Sequence, residues 1–505
     1  MFNFTPLVRG HLVSRLQQQV RYIDHADAVQ QGELVRLVER ASLTSFGRKY
    51  DFSSIRTYRQ FASTVPLYSY EDLEPHIMRM VNGARDELWP GRCMNFAQSS
   101  GTSGRSKYIP ITRESFQWNH YQGASDVVSH YLNLNPESRL FSGKAFILGG
   151  SFANNLQLKP GVRVGDLSAN LIENMNPLAG LLRVPSRQIA LMEDWTQKLP
   201  RLVDACIGQN VTNLSGVPSW FLTVIGRVLD KTGKSCIHDV WPNLEVFFHG
   251  GIAFEPYRQQ YEAICDMDKM HFLNNYNASE GFFAVQSSWE STAMLLLLDV
   301  GVFYEFLPVE DSDSSTPEVY PIWEIEQGRT YELVITAANG LWRYRIGDTV
   351  TIEQLNPVKI SIAGRTRSFI NAFGEELMVH NADQAITLAA RETGCQVLNY
   401  TAAPVYARDG ERGRHQWLIE FAAPPAEPDR FMQLLDSHLR QVNSDYDAKR
   451  TGDLFLAAPE LVIAPTGLFD RWLASTGKLG GQRKVPRLSN NRDLIDQMLR
   501  LMDPR

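Results

Sequence analysis

Four stretches of this 505-residue chain carry residue types that could do chemistry. The first is Asn95 to Pro110, where Ser99, Ser100, Gly101, Thr102, Ser103 and Gly104 form an unbroken run of small and hydroxyl residues, with Lys107 just beyond. Small residues let backbone N–H groups and hydroxyls converge on an anion, and a lysine adds a mobile point charge suited to phosphate. The run is not a Walker A loop, because Ser106 stands where that loop needs a glycine. Its composition equally describes a solvent-exposed Ser/Gly loop; lysine is scarce (12 against 38 arginines), which makes Lys107 stand out, and a solvated surface lysine is the plain alternative. The second stretch is Asn274 to Phe283, in which Glu280 follows a small polar run and precedes Gly281 and two aromatics. Mg2+ takes one or two carboxylates plus phosphate oxygens, so Glu280 suits such an ion. The same pattern also reads as a helix start, with Asn277 or Ser279 as the cap and Glu280 in the first turn. In the third stretch, Leu341 to Val350, Asp348 ends a Gly-containing turn between two strand-like segments. A carboxylate held there can accept two hydrogen bonds from a vicinal diol such as ribose, but Gly-Asp is also an ordinary turn pair. Gly364 and Arg365 follow. The fourth, Gly477 to Arg487, is glycine-rich and basic and holds Lys478 and Lys484, the only lysines after Lys449. A mobile glycine loop can carry such a charge to a distant site; a solvated tail segment has the same composition.

The elements that must position these residues are legible in the hydrophobic spacing. Leu7, Leu12, Leu16, Val20, Leu34, Leu37 and Val38 predict a helix over residues 7–40, closed at Thr44-Ser45-Phe46-Gly47. From about residue 95 to 350, short apolar runs alternate with helical stretches. Strands are expected at Ala145–Leu148, Val246–Phe248, Ala293–Leu298, Gly301–Leu307 and Tyr331–Thr336, and helices near 195–208, 218–232 and 254–268. That alternation predicts an α/β architecture. The acidic run Glu310 to Glu318 reads as a surface loop. After about residue 370 the pattern changes: Gln396–Tyr406 and Gln416–Phe421 read as a hairpin, and Phe431–Val442 as an amphipathic helix. This tail reads as a small α+β lobe.

Composition narrows the function. The chain is 44% hydrophobic and 21% charged, with a net charge of −6 and no basic run, which argues against a nucleic-acid groove. Five cysteines (Cys93, Cys206, Cys236, Cys265, Cys395) stand far apart without a CxxC pair, as in a protein kept in a reducing compartment. The strongest apolar run, Ala293 to Leu298, is far short of a membrane span, and the first residues lack a signal-peptide core. A cytoplasmic protein with no membrane partner is expected. No GxSxG elbow, HExxH helix, metal-spaced histidine set or strand-borne GxGxxG occurs.

Taken in order, the first three stretches resemble the motifs of adenylate-forming enzymes: the Ser99–Gly104 loop with Lys107, Tyr276-Asn277-Ala278-Ser279-Glu280, and Tyr344-Arg345-Ile346-Gly347-Asp348 with Gly364-Arg365. Within that superfamily the chain is most similar to the auxin-responsive acyl acid amido synthetases of plants and their bacterial relatives. Thr44–Gly47, Pro66-Leu67-Tyr68, Gly374-Glu375-Glu376-Leu377 and Lys484-Val485-Pro486-Arg487 carry that closer likeness, which covers nearly the whole chain. The segment between Ser103 and Lys107 has the general superfamily spacing and is shorter than the plant form.

The resemblance implies a large N-terminal lobe over 1–370 with β-sheets and flanking helices, a hinge at 371–382 and a small mobile C-terminal lobe over 383–505. It implies ATP and Mg2+ as cofactors, with a small-molecule carboxylic acid and an amine, an amino acid by expectation, as partners. Ser99–Gly104 and Lys107 would hold the triphosphate. Tyr276, Asn277, Ala278, Ser279, Gly250 and Gly251 would line the adenine and α-phosphate pocket. Glu280 would bind the metal, and Asp348 with Arg365 the ribose. Lys484, with Lys478 as the alternative, would stabilise the adenylation transition state and leave when the small lobe rotates. Val217, Trp220 and Phe282 are expected pocket walls for an apolar or aromatic acyl group; core packing accounts for them equally well. An acyl-CoA ligase with the same first step, or a nucleotide-binding protein without turnover, would share most of these features.

Overall fold

The helical spacing over residues 7–40 resolves, in the computed structural model, into three helices: Thr5–Gln19, Arg21–Asp24 and Ala26–Ala41. His25 leaves the helical conformation between the last two. Gly47 does not close the last of them. Thr44 instead caps a new short helix, Ser45–Lys49, by accepting from the Gly47 N–H at 2.9 Å. A Cβ on Gly47 would sit 2.2 Å from the Ala41 carbonyl oxygen, so glycine serves a close approach. The structure describes residues 3–502 apart from 101–105, 153, 155, 252–253, 313, 315, 366–368, 371–376, 406–412, 444–445, 448–449, 451–455, 477–484 and 490–491; at Ser99, Ser100, Ser106 and Arg365, among others, it describes the backbone alone.

The chain divides into two units, one built from the described residues of 1–252 and 262–361, the other from those of 253–261 and from 362 onward. The strands of the first are β1 (Asn95–Ser100), β2 (Ser106–Ile111), β3 (Lys144–Ile147), β4 (Arg163–Gly165), β5 (Arg183–Val184), β6 (Val211–Gly216), β7 (Val246–Gly250), β8 (His271–Asn277), β9 (Phe282–Gln286), β10 (Met294–Leu296), β11 (Val302–Pro308), β12 (Tyr320–Pro321), β13 (Thr330–Ala337), β14 (Tyr344–Leu355) and β15, which starts at Val358 and runs to Arg365. A small sheet has the order β2-β1-β4, and a large one runs β12-β11-β13-β14-β15-β10-β9-β8-β7-β6-β3-β5. The five strands β5, β3, β6, β7 and β8 are mutually parallel, while β8 to β9, β9 to β10, β10 to β15, β13 to β14 and β11 to both its neighbours pair antiparallel. The expected strands and the helices Trp195–Ile207 and Pro218–Thr232 are present. The third expected helix shrinks to Arg258–Ile264 behind a 3-10 turn.

The parallel half is buried on both faces, as crossover helices require. Phe247 meets Phe221 of the helix Pro218–Thr232, whereas its neighbour Phe248 joins Val127, Tyr131 and Leu132 of the helix Tyr121–Leu134 on the opposite face. The antiparallel half packs against the N-terminal helices through Leu34, Leu37, Val38 and Phe46.

The second unit contains a short pair, β16 (Phe369–Ile370) with β17 (Leu377–Met378), and a sheet of β18 (Gln396–Val405), β19 (Arg414–Ala423) and β20 (Glu460–Ala464) in that order. β18 and β19 form the expected hairpin. The helices Val379–Thr393 and Pro428–Val442 pack on it through Ile386, Phe431, Leu435 and Trp417. All five cysteines are free. Among the described residues no helix is long and apolar enough to cross a membrane.

Candidate active site

Four adjacent parallel strands, β3, β6, β7 and β8, end side by side, and three of those ends are glycines: Gly149-Gly150 just after β3, Gly216 at the end of β6 and Gly250-Gly251 at the end of β7. Ligands of open α/β sheets sit outside the carboxyl ends of the strands, where glycines let the backbone come close. A Cβ on Gly250 would lie 2.4 Å from the backbone oxygen of Asn275 on β8, and Gly251 takes a left-handed conformation (φ +80°). The register sets Gly216 beside His249 and Gly250 beside Asn275, which aligns Val217, Gly250, Gly251 and Tyr276 along one edge.

Glu280 does not begin a helix. β8 ends at Asn277, residues 278–281 make a tight turn closed by Ala278 N–H to Gly281 O at 2.9 Å and Gly281 N–H to Ala278 O at 3.2 Å, and β9 returns from Phe282. The capping alternative is therefore overturned: a period-2 strand on either side leaves no room for a helix. Ser279 and Glu280 are both buried, and the Oδ1 of Asn277 is a buried acceptor without a partner among the described residues. Phe282 is 5% exposed and packs against the helix Tyr121–Leu134, into whose Gly123 a Cβ would drive it; its ring is part of the core. Val217 and Trp220 are half-buried beside the end of β6.

Asp348 does not end a turn between two strands. It lies within the single strand β14, at a bulge: opposite β13, Glu332 pairs with Thr349 but Val334 with Arg345, so Ile346 to Asp348 bulge out, with Gly347 at φ +82°. Bulges re-aim side chains, and glycine supplies the positive φ. The Asp348 carboxylate, 5% exposed, accepts a hydrogen bond from the Tyr276 hydroxyl at 2.6 Å. That contact joins the second and third stretches in one buried place. The flanking arginines are structural: Arg343 pairs with Glu305 at 2.7 Å and Arg345 with Glu332 at 2.5 Å, both carboxylates buried.

Lys107, on β2, reaches the Tyr344 hydroxyl at 3.4 Å and lies 5.4 Å above the Tyr70 ring. It thereby meets the start of the strand that carries Asp348. Tyr68 holds the same strand from the other side, donating its N–H to Arg343 O and accepting from Arg345 N–H, both at 2.9 Å. Phe46 stacks on Trp342 at 6.0 Å and tilts against Tyr68 at 5.5 Å. Thr44–Gly47 and Pro66–Tyr68 thus brace the Asp348 strand. Strands β1 and β2 pair up to Ser100 opposite Ser106, so Ser99 and Ser100 stand at the end of that hairpin. Gly101 to Gly104, Lys478 and Lys484 lie outside the described residues, and Arg365 is described as the last residue of β15 without its side chain.

Two asparagines that sequence reading passed over hold the Glu280 turn. The Asn339 Nδ2 donates to the Glu280 carbonyl at 2.9 Å. The Asn119 Nδ2 donates to the Phe282 carbonyl at 2.9 Å, and its Oδ1 accepts the Phe282 N–H at 2.6 Å. The Asn-Gly pair at 339–340, a strong hairpin signal, could have flagged the first; nothing local marks the second. No cluster of three acidic, histidine or cysteine side chains able to hold a metal exists among the described residues. One buried carboxylate, Glu280, is what a site completed by a ligand's phosphate oxygens would offer Mg2+.

The chain is 23% identical, over 95% of its length and 91% of the relative's, to indole-3-acetic acid-amido synthetase GH3.4 of Arabidopsis thaliana. It is 22% identical to jasmonoyl--L-amino acid synthetase JAR4 of Nicotiana attenuata over 65% of this chain and 67% of that one. Its fold matches AtGH3.15 acyl acid amido synthetase in complex with 2,4-DB (TM-score 0.80, 19% identity, 99% and 97% covered) and a 2-hydroxyisobutyryl-CoA ligase in its postadenylation state (TM-score 0.61, 14% identity, 94% and 91% covered). The GH3 family N-terminal domain matches residues 15–270, the central domain 295–365 and the C-terminal domain 380–493; the chain belongs to the GH3 family.

Proposed function

We propose that the protein is an ATP-dependent acyl acid amido synthetase. The hydrogen bond between Tyr276 and Asp348 carries this reading, because it brings together, in a chain of this family, the two residues that the proposal assigns to the adenine and to the ribose. A carboxylate does not react with an amine at neutral pH, because its leaving group would be oxide. Attack of a carboxylate oxygen on the α-phosphorus of ATP forms an O–P bond, breaks the bond to the bridging oxygen and releases pyrophosphate. The acyl-AMP then yields its acyl group to an amine, AMP leaves with the electron pair, and the amine loses a proton.

The first transition state crowds negative charge, so fixed cations and N–H donors are what accelerates it. In this reading the Ser99–Gly104 loop and Lys107 hold the triphosphate, Gly250-Gly251 lets the backbone approach the nucleotide, and Asp348 with Arg365 orients the ribose. Glu280 holds Mg2+, whose chemistry when bound is to neutralise phosphate charge. Lys484, or Lys478 in its place, supplies the charge from the second unit, and Val217 and Trp220 flank the acyl group. The acceptor is an amino acid, the protein works in the cytoplasm, and the hinge between its lobes lies within 371–382.

The test is acid-dependent pyrophosphate release from purified protein with ATP, Mg2+ and a panel of carboxylic acids, followed by product mass spectrometry with an amino-acid mixture and with CoA. An amide product supports the proposal. A thioester as sole product would make the protein an acyl-CoA ligase, and nucleotide binding without acid-dependent AMP formation would make it a binding protein.

A further inference from the structure

The Glu280 turn is a hairpin tip, and a hairpin tip has carbonyls with no strand partner. Here a buried amide from elsewhere in the chain takes one of them, and a second holds the first residue of the returning strand. Asn339 (1% exposed) reaches the Glu280 carbonyl itself, and Asn119 (2% exposed) brackets Phe282 two residues on, bonding both its N–H and its carbonyl and also the Val300 carbonyl at 3.1 Å. Gly281, between them, fits because it lacks a Cβ: one built there would lie 3.1 Å from the Asn119 Oδ1 and 2.8 Å from the Phe283 ring. Asn339 is itself fixed. It sits in the turn between β13 and β14, its Oδ1 accepts the Leu341 N–H at 3.3 Å, and Gly340, not Asn339, takes the left-handed conformation (φ +88°). The turn that aims Glu280 is thus tied on one side to the hairpin leading into the Asp348 strand and on the other to the segment before the helix Tyr121–Leu134.

We infer that Asn339 and Asn119 are positioning residues for the metal-bound nucleotide, setting the backbone of the Glu280 turn so that its carboxylate meets the cation. The inference rests on the proposed role of Glu280. Groups that orient a metal ligand from behind are worth about 10- to 100-fold in metal affinity.

Asn339→Asp is the sharp variant. It keeps the Oδ1 acceptor for Leu341 and the side-chain shape, and replaces only the donor to Glu280 with an oxygen that repels that carbonyl. Asn339→Ala removes the donor without adding charge, and serves if the first variant does not fold. Asn119→Asp tests the other tie. Binding of a non-hydrolysable ATP mimic is followed by calorimetry across a Mg2+ titration and in metal-free buffer, with Glu280→Gln in parallel. The expected result is a Mg2+ half-saturation raised about tenfold or more in the asparagine variants, with metal-free binding of the mimic unchanged. A folded Asn339 variant with wild-type Mg2+ half-saturation, while Glu280→Gln raises it, would overturn the positioning role alone. A wild-type Mg2+ response in Glu280→Gln would remove Glu280 as the ligand, and the role of both asparagines with it.

Discussion

Replacing Tyr276 with phenylalanine removes one oxygen from a buried site and nothing else. The hydroxyl donates to Asp348 at 2.6 Å, and the two residues are 4% and 5% exposed. The ring keeps its packing on Phe283, 4.9 Å away, so the variant should fold. A hydrogen bond to a charged group contributes about 1.5–3 kcal/mol, more when its loss leaves a buried partner short of a donor. If Asp348 holds the ribose, its orientation is fixed before the nucleotide arrives, and the lost contact appears in nucleotide affinity. At about 1.4 kcal/mol per factor of ten, the Kd for a non-hydrolysable ATP mimic should rise roughly ten- to a hundredfold. Isothermal calorimetry reads that shift, and urea unfolding of the same preparation reads the stability change. A variant destabilised by about 2 kcal/mol that binds the mimic as tightly as wild type would show that Asp348 is a structural acid and that the ribose lies elsewhere.

Gly250→Ala should abolish detectable binding of the mimic and lower stability by about 1–3 kcal/mol, since its Cβ would stand 2.4 Å from a backbone oxygen of Asn275 that cannot swing away; calorimetry and urea melts check both. Arg343→Met should cost about 3–5 kcal/mol in unfolding free energy, because it leaves the fully buried Glu305 carboxylate without its cation; a midpoint shift below 1 kcal/mol would refute this. Burial holds the His120 imidazole down at about 4, against 6.5 in the open chain. Between those values the unfolded chain binds the extra proton, so stability is intact above pH 6.5 and falls as the pH drops toward 4, by about 3 kcal/mol for this one group. In His120→Gln the slope of unfolding free energy against pH over that window should shrink by one proton's worth, and an unchanged slope would count against the burial argument.

What the sequence made legible follows the range of each signal. The expected strands and the helix Pro428–Val442 were readable because burial imposes a period on neighbouring residues. The helix expected at Asn277–Glu280 failed because a cap motif is local while the choice of hairpin is not: β9 returns along β8 through residues that a window of four cannot see. Asp348 was misplaced for a related reason. Gly347 marks a change of backbone direction, and whether that change is a turn or a bulge depends on β13, which supplies the register. Phe46 and Tyr68 read as parts of family markers, and their packing gives the physical reason: with Trp342 they buttress the strand on which Asp348 rides. Asn119 stayed invisible because its partners, Phe282 and Val300, are more than 160 residues away.

The contact between Tyr276 and Asp348 also says how the first unit is shaped. In the strand order β14-β15-β10-β9-β8, their strands are four positions apart. Flat, with about 4.8 Å between neighbours, the sheet would separate them by about 19 Å, more than a tyrosine and an aspartate can span. The sheet must therefore curl until the bulge of β14 faces the end of β8. The bond from Asn339, at the tip of the β13–β14 hairpin, to Glu280, at the tip of β8–β9, repeats the crossing, and Phe283 of β9 meeting Tyr304 of β11 at 6.2 Å fills the space between. Antiparallel strands with a glycine bulge can curl in this way; the parallel half, held between helices on both faces, is not free to do so. The division of labour follows from that difference. The parallel strands end in glycines, which leave their backbone open at that edge. The curled antiparallel strands bring Asp348 and the Glu280 turn back over that edge, where the Tyr276 hydroxyl bonds the Asp348 carboxylate and the Asn339 amide bonds the Glu280 backbone carbonyl.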